Sequence, residues 1–197
     1  MRSVGEIALA KRDPEIVAYD RQSRKEEEVE DIEIFLDAYE RATGEKLEID
    51  EVEESPDAIC RRPDGSLVGV EHTRIRRSPE AAHWAAVLNH QDEMGFDETL
   101  DEIDRMISQK CQLLSKFRTQ HNILLIALYE SDFDSVVRML ECFPLPDAAT
   151  AGFDEIWLAD FKGIREGAHR EARLFGIFPA RFSRVTERSS YDQKPFG

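Results

Sequence analysis

Two acidic residues, Asp57 and Glu71, have the types and spacing that suggest chemistry. Asp57 follows a proline in "SPDAIC", and Glu71 interrupts the apolar run "LVGVEHTRI". Their positions differ by 14 (71 − 57), and "RPDGS" between them is a turn by composition. A hairpin of that length brings the two carboxylates close together. A carboxylate within a buried strand is costly unless something positive lies against it. Strand alternation puts Leu67, Gly69, Glu71, Thr73 and Ile75 on one face and His72 on the other. Two carboxylates and the backbone carbonyl of His72 are suitable ligands for Mg²⁺ (or Mn²⁺), which also keeps several waters. Simpler readings stand beside this one. Asp57 fits an ordinary turn position, and an ion pair from Arg61 or Arg74 would satisfy Glu71.

The elements that must position these acids are legible in the periodicity. Residues 1–20 show no firm pattern, and Pro14 interrupts any helix there. From Arg24 to Thr43, Val29, Ile32, Phe35, Leu36 and Tyr39 form one helical face, and Gly44 is a natural C-cap. At about 100° per residue, Lys25 and Glu28 fall on that face. Glu26, Glu27 and Glu30 do not. "KLEIDEVE" (46–53), "DAICR" (57–61) and "LVGVEHTRI" (67–75) read as three strands of an antiparallel meander. Residues 76–96 fit a helix or an excursion. A long helix is expected over 97–118, with Leu100, Ile103, Ile107, Leu114 and Phe117 inward and Lys110 in the middle of that stripe. A lysine there either snorkels outward or meets an anion. "NILLIALYE" (122–130) reads as a strand covered on both faces. "SDFD" starts a helix carrying Phe133, Val136, Val137 and Leu140, and two more strands follow over 153–161 and 172–179. The expected fold class is α/β, with a mixed sheet flanked by helices on both faces.

The stretch "SPDAIC…VGVEHTRI", together with the order helix, three-strand meander, helix, strand over 24–130, resembles the PD-(D/E)xK nuclease superfamily. The resemblance implies a restriction-endonuclease-like single domain over 24–197, with residues 1–23 as an N-terminal extension. It implies Asp57 and Glu71 as the motif acids. Glu28 resembles the acid that many members carry on the first helix, which would hold the metal through water. Thr73 stands where the family usually has lysine, and Lys110 is placed to take over that role from the following helix. The implied activity is Mg²⁺- or Mn²⁺-dependent hydrolysis of nucleic acid, in the first instance DNA, with Asp57, Glu71, Lys110 and Thr73 as catalytic residues. The metal would sit on Asp57, Glu71, Glu28 and the His72 carbonyl.

Composition sets the alternatives. The chain has 197 residues and a formal net charge of −15, which argues against a protein that coats nucleic acid. Residues 21–60 hold 15 acidic and 5 basic residues, a net of −10, whereas 161–197 hold 4 acidic and 8 basic, a net of +4. Arg61, Arg62, Arg74, Arg76 and Arg77 flank the two site strands. They are candidates for phosphate contacts, which set affinity and not sequence preference; they could equally offset the acidic first helix. A scaffold that has lost catalysis, acting as a binding module or as an acidic antitoxin-type partner of a basic protein, is the second reading. An unrelated α/β domain with structural acids is the third. His83, His90, His121 and His169 lack metal-ligand spacing, and Trp84 and Trp157 fit a core. Three widely spaced cysteines, no apolar run of membrane length and no signal-like leader fit a cytoplasmic protein, with homodimerisation open.

Overall fold

A computed structural model describes residues 14–75, 96–145, 151–165, 167 and 171–179. The expectations placed on 76–95, including Arg76, Arg77, His83, Trp84 and His90, and those on His169 and on the tail from 180, lie outside the described residues.

The first helix, α1, spans Pro14–Thr43, so it begins ten residues before Arg24. Pro14 is the first described residue of this helix, and a proline in a first helical turn removes an amide that has no intrahelical partner anyway. At the other end Gly44 adopts φ 77° and its amide donates to the Glu40 carbonyl at 2.7 Å. Ile32, Phe35, Leu36, Ala38 and Tyr39 are buried against one face of the sheet.

Three strands follow: β1 (Glu48–Val52), β2 (Ala58–Arg61) and β3 (Leu67–Ile75). They form the expected antiparallel meander. The turn over 62–66 is closed by Arg62 N–H to the Ser66 carbonyl at 2.9 Å, with Gly65 at φ 88°. A difference in length matters most. β2 has four residues and pairs only with Leu67–Val70, whereas β3 continues to Ile75. Residues 71–75 therefore have β4 (His121–Leu128) on one side and no β2 partner on the other.

α2 (Phe96–Lys110) crosses from β3 to β4 and buries Ile103 and Ile107 on the second face of the sheet. The expected long helix to 118 stops at Lys110 and tightens into a 3₁₀ segment, Cys111–Lys116. Leu114 and Phe117 still pack on the core, partly buried. β4 is parallel to β3. Its Ile123, Leu125 and Ala127 face the α1 side, and its Leu124, Ile126 and Leu128 face the α2 side. α3 (Phe133–Cys142) starts where the Asp132 side chain accepts from Ser135 N–H at 2.9 Å. β5 (Glu155–Asp160) runs parallel to β4, and β6 (Arg173–Phe178) closes the sheet antiparallel. A single helical turn, α4 (Lys162–Arg165), not anticipated in the sequence, lies between them.

The sheet order is β1-β2-β3-β4-β5-β6. α1 covers one face and α2 with α3 the other, as the α/β reading requires. Among the described residues no helix is long and apolar enough to cross a membrane.

Candidate functional site

The unpaired stretch of β3 is where the acids gather. Asp57 sits at the entrance to β2, and its Oδ2 accepts the His72 amide at 2.8 Å. The carboxylate thus occupies the place a β2 residue would take had the strand continued. Within a strand, the amide and carbonyl of one residue point to the same side. The His72 carbonyl therefore faces the same open edge as Asp57.

Glu71, one residue earlier, turns to the α2 face and is only 1% exposed. Lys110, at the last residue of α2, donates to its Oε1 at 2.6 Å. The positive partner of Glu71 is this lysine, and neither Arg61 nor Arg74. Glu71 Oε2 is buried and accepts no hydrogen bond among the described residues. Burial, and then the negative charge of Asp57, push the Glu71 carboxyl up to about 7, against the pull of Lys110. The charge of Glu28 adds to that push, so Glu28 and Asp57 both act on Glu71.

Glu28 reaches the cleft from α1, together with Arg24. A cavity of about 200 Å³ is lined by Arg24, Glu28, His72, Thr73, Arg74 and Lys110. Lys25 turns inward as the helical phase predicts, and its Nζ donates to the Glu53 carbonyl at 2.7 Å. That bond ties α1 to the loop that delivers Asp57. Thr73 is buried beside the cleft, but its hydroxyl donates to the Met106 sulfur at 3.2 Å. It is thereby engaged by α2.

The arginines expected to meet phosphates are held elsewhere. Arg61 pairs with Asp50 at 2.5 Å, and Arg62 pairs with Glu45. Arg74 donates to Asp31 at 2.8 and 3.1 Å and to Glu27 at 2.6 Å. Asp31 is the residue sequence reasoning missed. It is buried, accepts from the Tyr129 hydroxyl and from Arg74, and lies 3.1 Å from His72 Nε2. That last contact is close but makes no directed hydrogen bond. Burial pushes the Asp31 carboxyl up, but His72, Tyr129 and Arg74 outweigh it and hold it below the usual carboxylate range. The signal was available. Asp31 lies four residues before Phe35 and eight before Tyr39, on the buried stripe.

A second buried acid shows what a structural carboxylate looks like in this fold. Glu155 accepts from Tyr39 at 3.1 Å and Trp157 at 2.7 Å, and contacts His121 Nε2 at 3.0 Å. Both of its oxygens are occupied. Burial raises its carboxyl, yet His121 and Trp157 outweigh that and leave it lowered. Glu71 has the opposite character, with one empty oxygen and a raised carboxyl.

The donor set of the cleft can be compared with a hard cation. Asp57 lies at the open edge of β3, where the His72 carbonyl also points, whereas Glu71 Oε2 is buried on the α2 face, and the cavity lining includes neither Asp57 nor Glu71. Glu28 makes no hydrogen bond or ion pair among the described residues. One or two carboxylates, a carbonyl and waters are the donors Mg²⁺ takes, and these residue types match that chemistry. Among the described residues no three His, Cys, Asp or Glu side chains converge as a group that could hold a metal ion, so Glu28, Asp57 and Glu71 do not form one three-carboxylate cluster.

Set against protein-family models, curated proteins and solved structures, the chain matches none of them.

Proposed function

We propose that the chain is a metal-dependent phosphodiesterase acting on nucleic acid, of the PD-(D/E)xK, restriction-endonuclease-like kind. The observation that carries this reading is the buried Glu71 oxygen without a partner, beside Asp57 on the unpaired edge of β3. A fully buried acceptor left empty costs about 1–3 kcal/mol, and a fold that satisfies both oxygens of Glu155 leaves this one open. The order helix, antiparallel meander, helix, parallel strand supports the family reading.

Asp57, Glu71 and the His72 carbonyl would hold Mg²⁺ or Mn²⁺, with Glu28 reaching it through water. The ion, when bound, supplies a Lewis acid for a phosphoryl oxygen and lowers the pKa of a water. The chain's own residues do the rest. Lys110 favours the charged form of Glu71 through the 2.6 Å bond, against burial, and has two further N–H donors. One of them can orient a water or meet the negative charge that grows on the phosphorus oxygens. Thr73, with its hydroxyl turned to Met106, holds the floor of the cleft and supports α2 at the turn before Lys110. Lys110 therefore carries the role that the family's strand lysine would have.

Mg²⁺- and Mn²⁺-dependent cleavage of mixed DNA and RNA substrates, beside Asp57→Ala, tests the reading. Cleavage that needs the metal and vanishes in the variant is expected. The second reading, a scaffold without catalysis that binds a basic protein, is favoured by the net charge of −15 and by Thr73 in the lysine position. It predicts neither cleavage nor a response to Mg²⁺.

A further inference from the structure

We infer that Arg24 is the residue that grips substrate phosphate in this cleft; the inference rests on the phosphodiesterase reading. Of the cations facing the site, Lys110 is bound to Glu71, and Arg74 is held by Asp31 and Glu27. Arg61 and Arg62 are paired with Asp50 and Glu45. Arg24 lines the same cavity and makes no ion pair among the described residues. It stands four residues before Glu28, on the same face of α1, yet no ion pair joins the two.

Arg24, Arg74 and Lys110 line the cavity beside Glu28. Arg74 and Lys110 are already paired with carboxylates, so Arg24 is the cation of this lining left to meet a phosphate. A guanidinium also offers two parallel N–H donors to the two non-bridging oxygens of a phosphodiester, which an ammonium does not. The cavity, about 200 Å³, has room for one such group. Binding then depends on a small number of phosphate contacts, of which Arg24 makes one.

The test is binding of a fluorescein-labelled DNA oligonucleotide, followed by anisotropy over a range of salt concentrations. Ca²⁺ replaces Mg²⁺, since it takes the same oxygen donors with looser geometry. Thermal stabilisation by Mg²⁺ without DNA is measured on the same proteins. Arg24→Gln is expected to bind DNA about tenfold more weakly. Its slope of log affinity against log salt should be smaller by about one. Arg24→Lys should recover the slope but only part of the affinity. Stabilisation by Mg²⁺ should persist in both variants, because Arg24 is no metal ligand. Unchanged affinity and slope in Arg24→Gln would overturn the inference while leaving the metal site standing. Wild-type protein that binds no DNA overturns it as well. Wild-type protein that binds DNA through Arg24 but gains nothing from Mg²⁺ would keep Arg24 and remove the metal-dependent enzyme.

Discussion

Glu71 is a buried acid with one oxygen on Lys110 and the other without a hydrogen-bond partner among the described residues. Its carboxyl is raised from 4.5 to about 7, so the folded chain holds that proton more tightly than the unfolded chain. The stability this group lends is complete below about 4.5 and is lost as the pH rises through about 7. Glu71→Gln should therefore unfold like wild type near pH 4. At pH 8, without metal, it should melt roughly 2–4 °C higher, the equivalent of about 1 kcal/mol in a domain of this size. Melting curves at the two pH values check this; a variant less stable at pH 8 would mean that the Lys110 bond outweighs burial. Lys110 has its own test. If it replaces the strand lysine, Lys110→Ala is nearly inactive and Thr73→Lys alone brings no gain. Thr73→Lys with Lys110→Ala should then recover part of the rate. Residues sharing one role couple strongly, so the cycle should be non-additive. Additive effects would make Lys110 an ordinary partner of Glu71.

At the scale of elements, the site depends on β3 outrunning β2 and on α1 lying across the gap. Asp31 fastens α1 to β3 through Arg74 and His72 and to the residue just after β4 through Tyr129, and it stands three residues from Glu28. Asp31→Ala leaves a mostly buried Arg74 short of its main partner and should cost about 3 kcal/mol or more in urea unfolding at pH 7. Because the Asp31 carboxyl is lowered from 3.8, its contribution is present above that value and fades as the pH falls below it. The gap between wild type and variant should therefore narrow in acid. Gly69 is the other fixed point. A Cβ there would meet Thr119 Oγ1 at 2.5 Å, Asn122 Oδ1 at 3.0 Å and Pro56 Cγ at 3.1 Å. Gly69→Ala should cost about 1–3 kcal/mol, and Thr119→Ala should relieve part of it in the double variant. Pro56 adjoins Asp57, so the same change should weaken the response to Mg²⁺. Much of this arrangement was legible beforehand. Alternation put Glu71 opposite His72, and the helical phase turned Lys25, Glu28 and Lys110 inward. The rest depends on tertiary pairing. The early stop of α2, the partners taken by Arg61, Arg62 and Arg74, and the engagement of Thr73 by Met106 are set by which side chains meet across elements. Local periodicity does not encode those meetings. Asp31 was overlooked because an acid on an apolar stripe reads as a solvated neighbour unless its basic partners on β3 are known.

The whole molecule carries a charge of −15, and a polyanion approaches it against that field. Part of the acid on α1 is offset from within, as Arg74 takes Glu27 and Asp31. The field still opposes nucleic acid, so binding should be weak and should fall further when the divalent ion is chelated. The metal and the phosphate must then favour one another's binding by the same factor. All of this depends on the cleft taking a divalent cation on Asp57 and Glu71. The most direct measurement is the melting temperature at pH 8 with increasing Mg²⁺, for wild type and for Asp57→Asn. A ligand that binds only the native state stabilises it by about 2.7 kcal/mol at one hundred times its dissociation constant. Wild type should rise with Mg²⁺ by several degrees and saturate, and Asp57→Asn should stay nearly flat. A wild type that gains nothing from Mg²⁺, or a variant that gains as much as wild type, would contradict the metal site and with it the proposed activity.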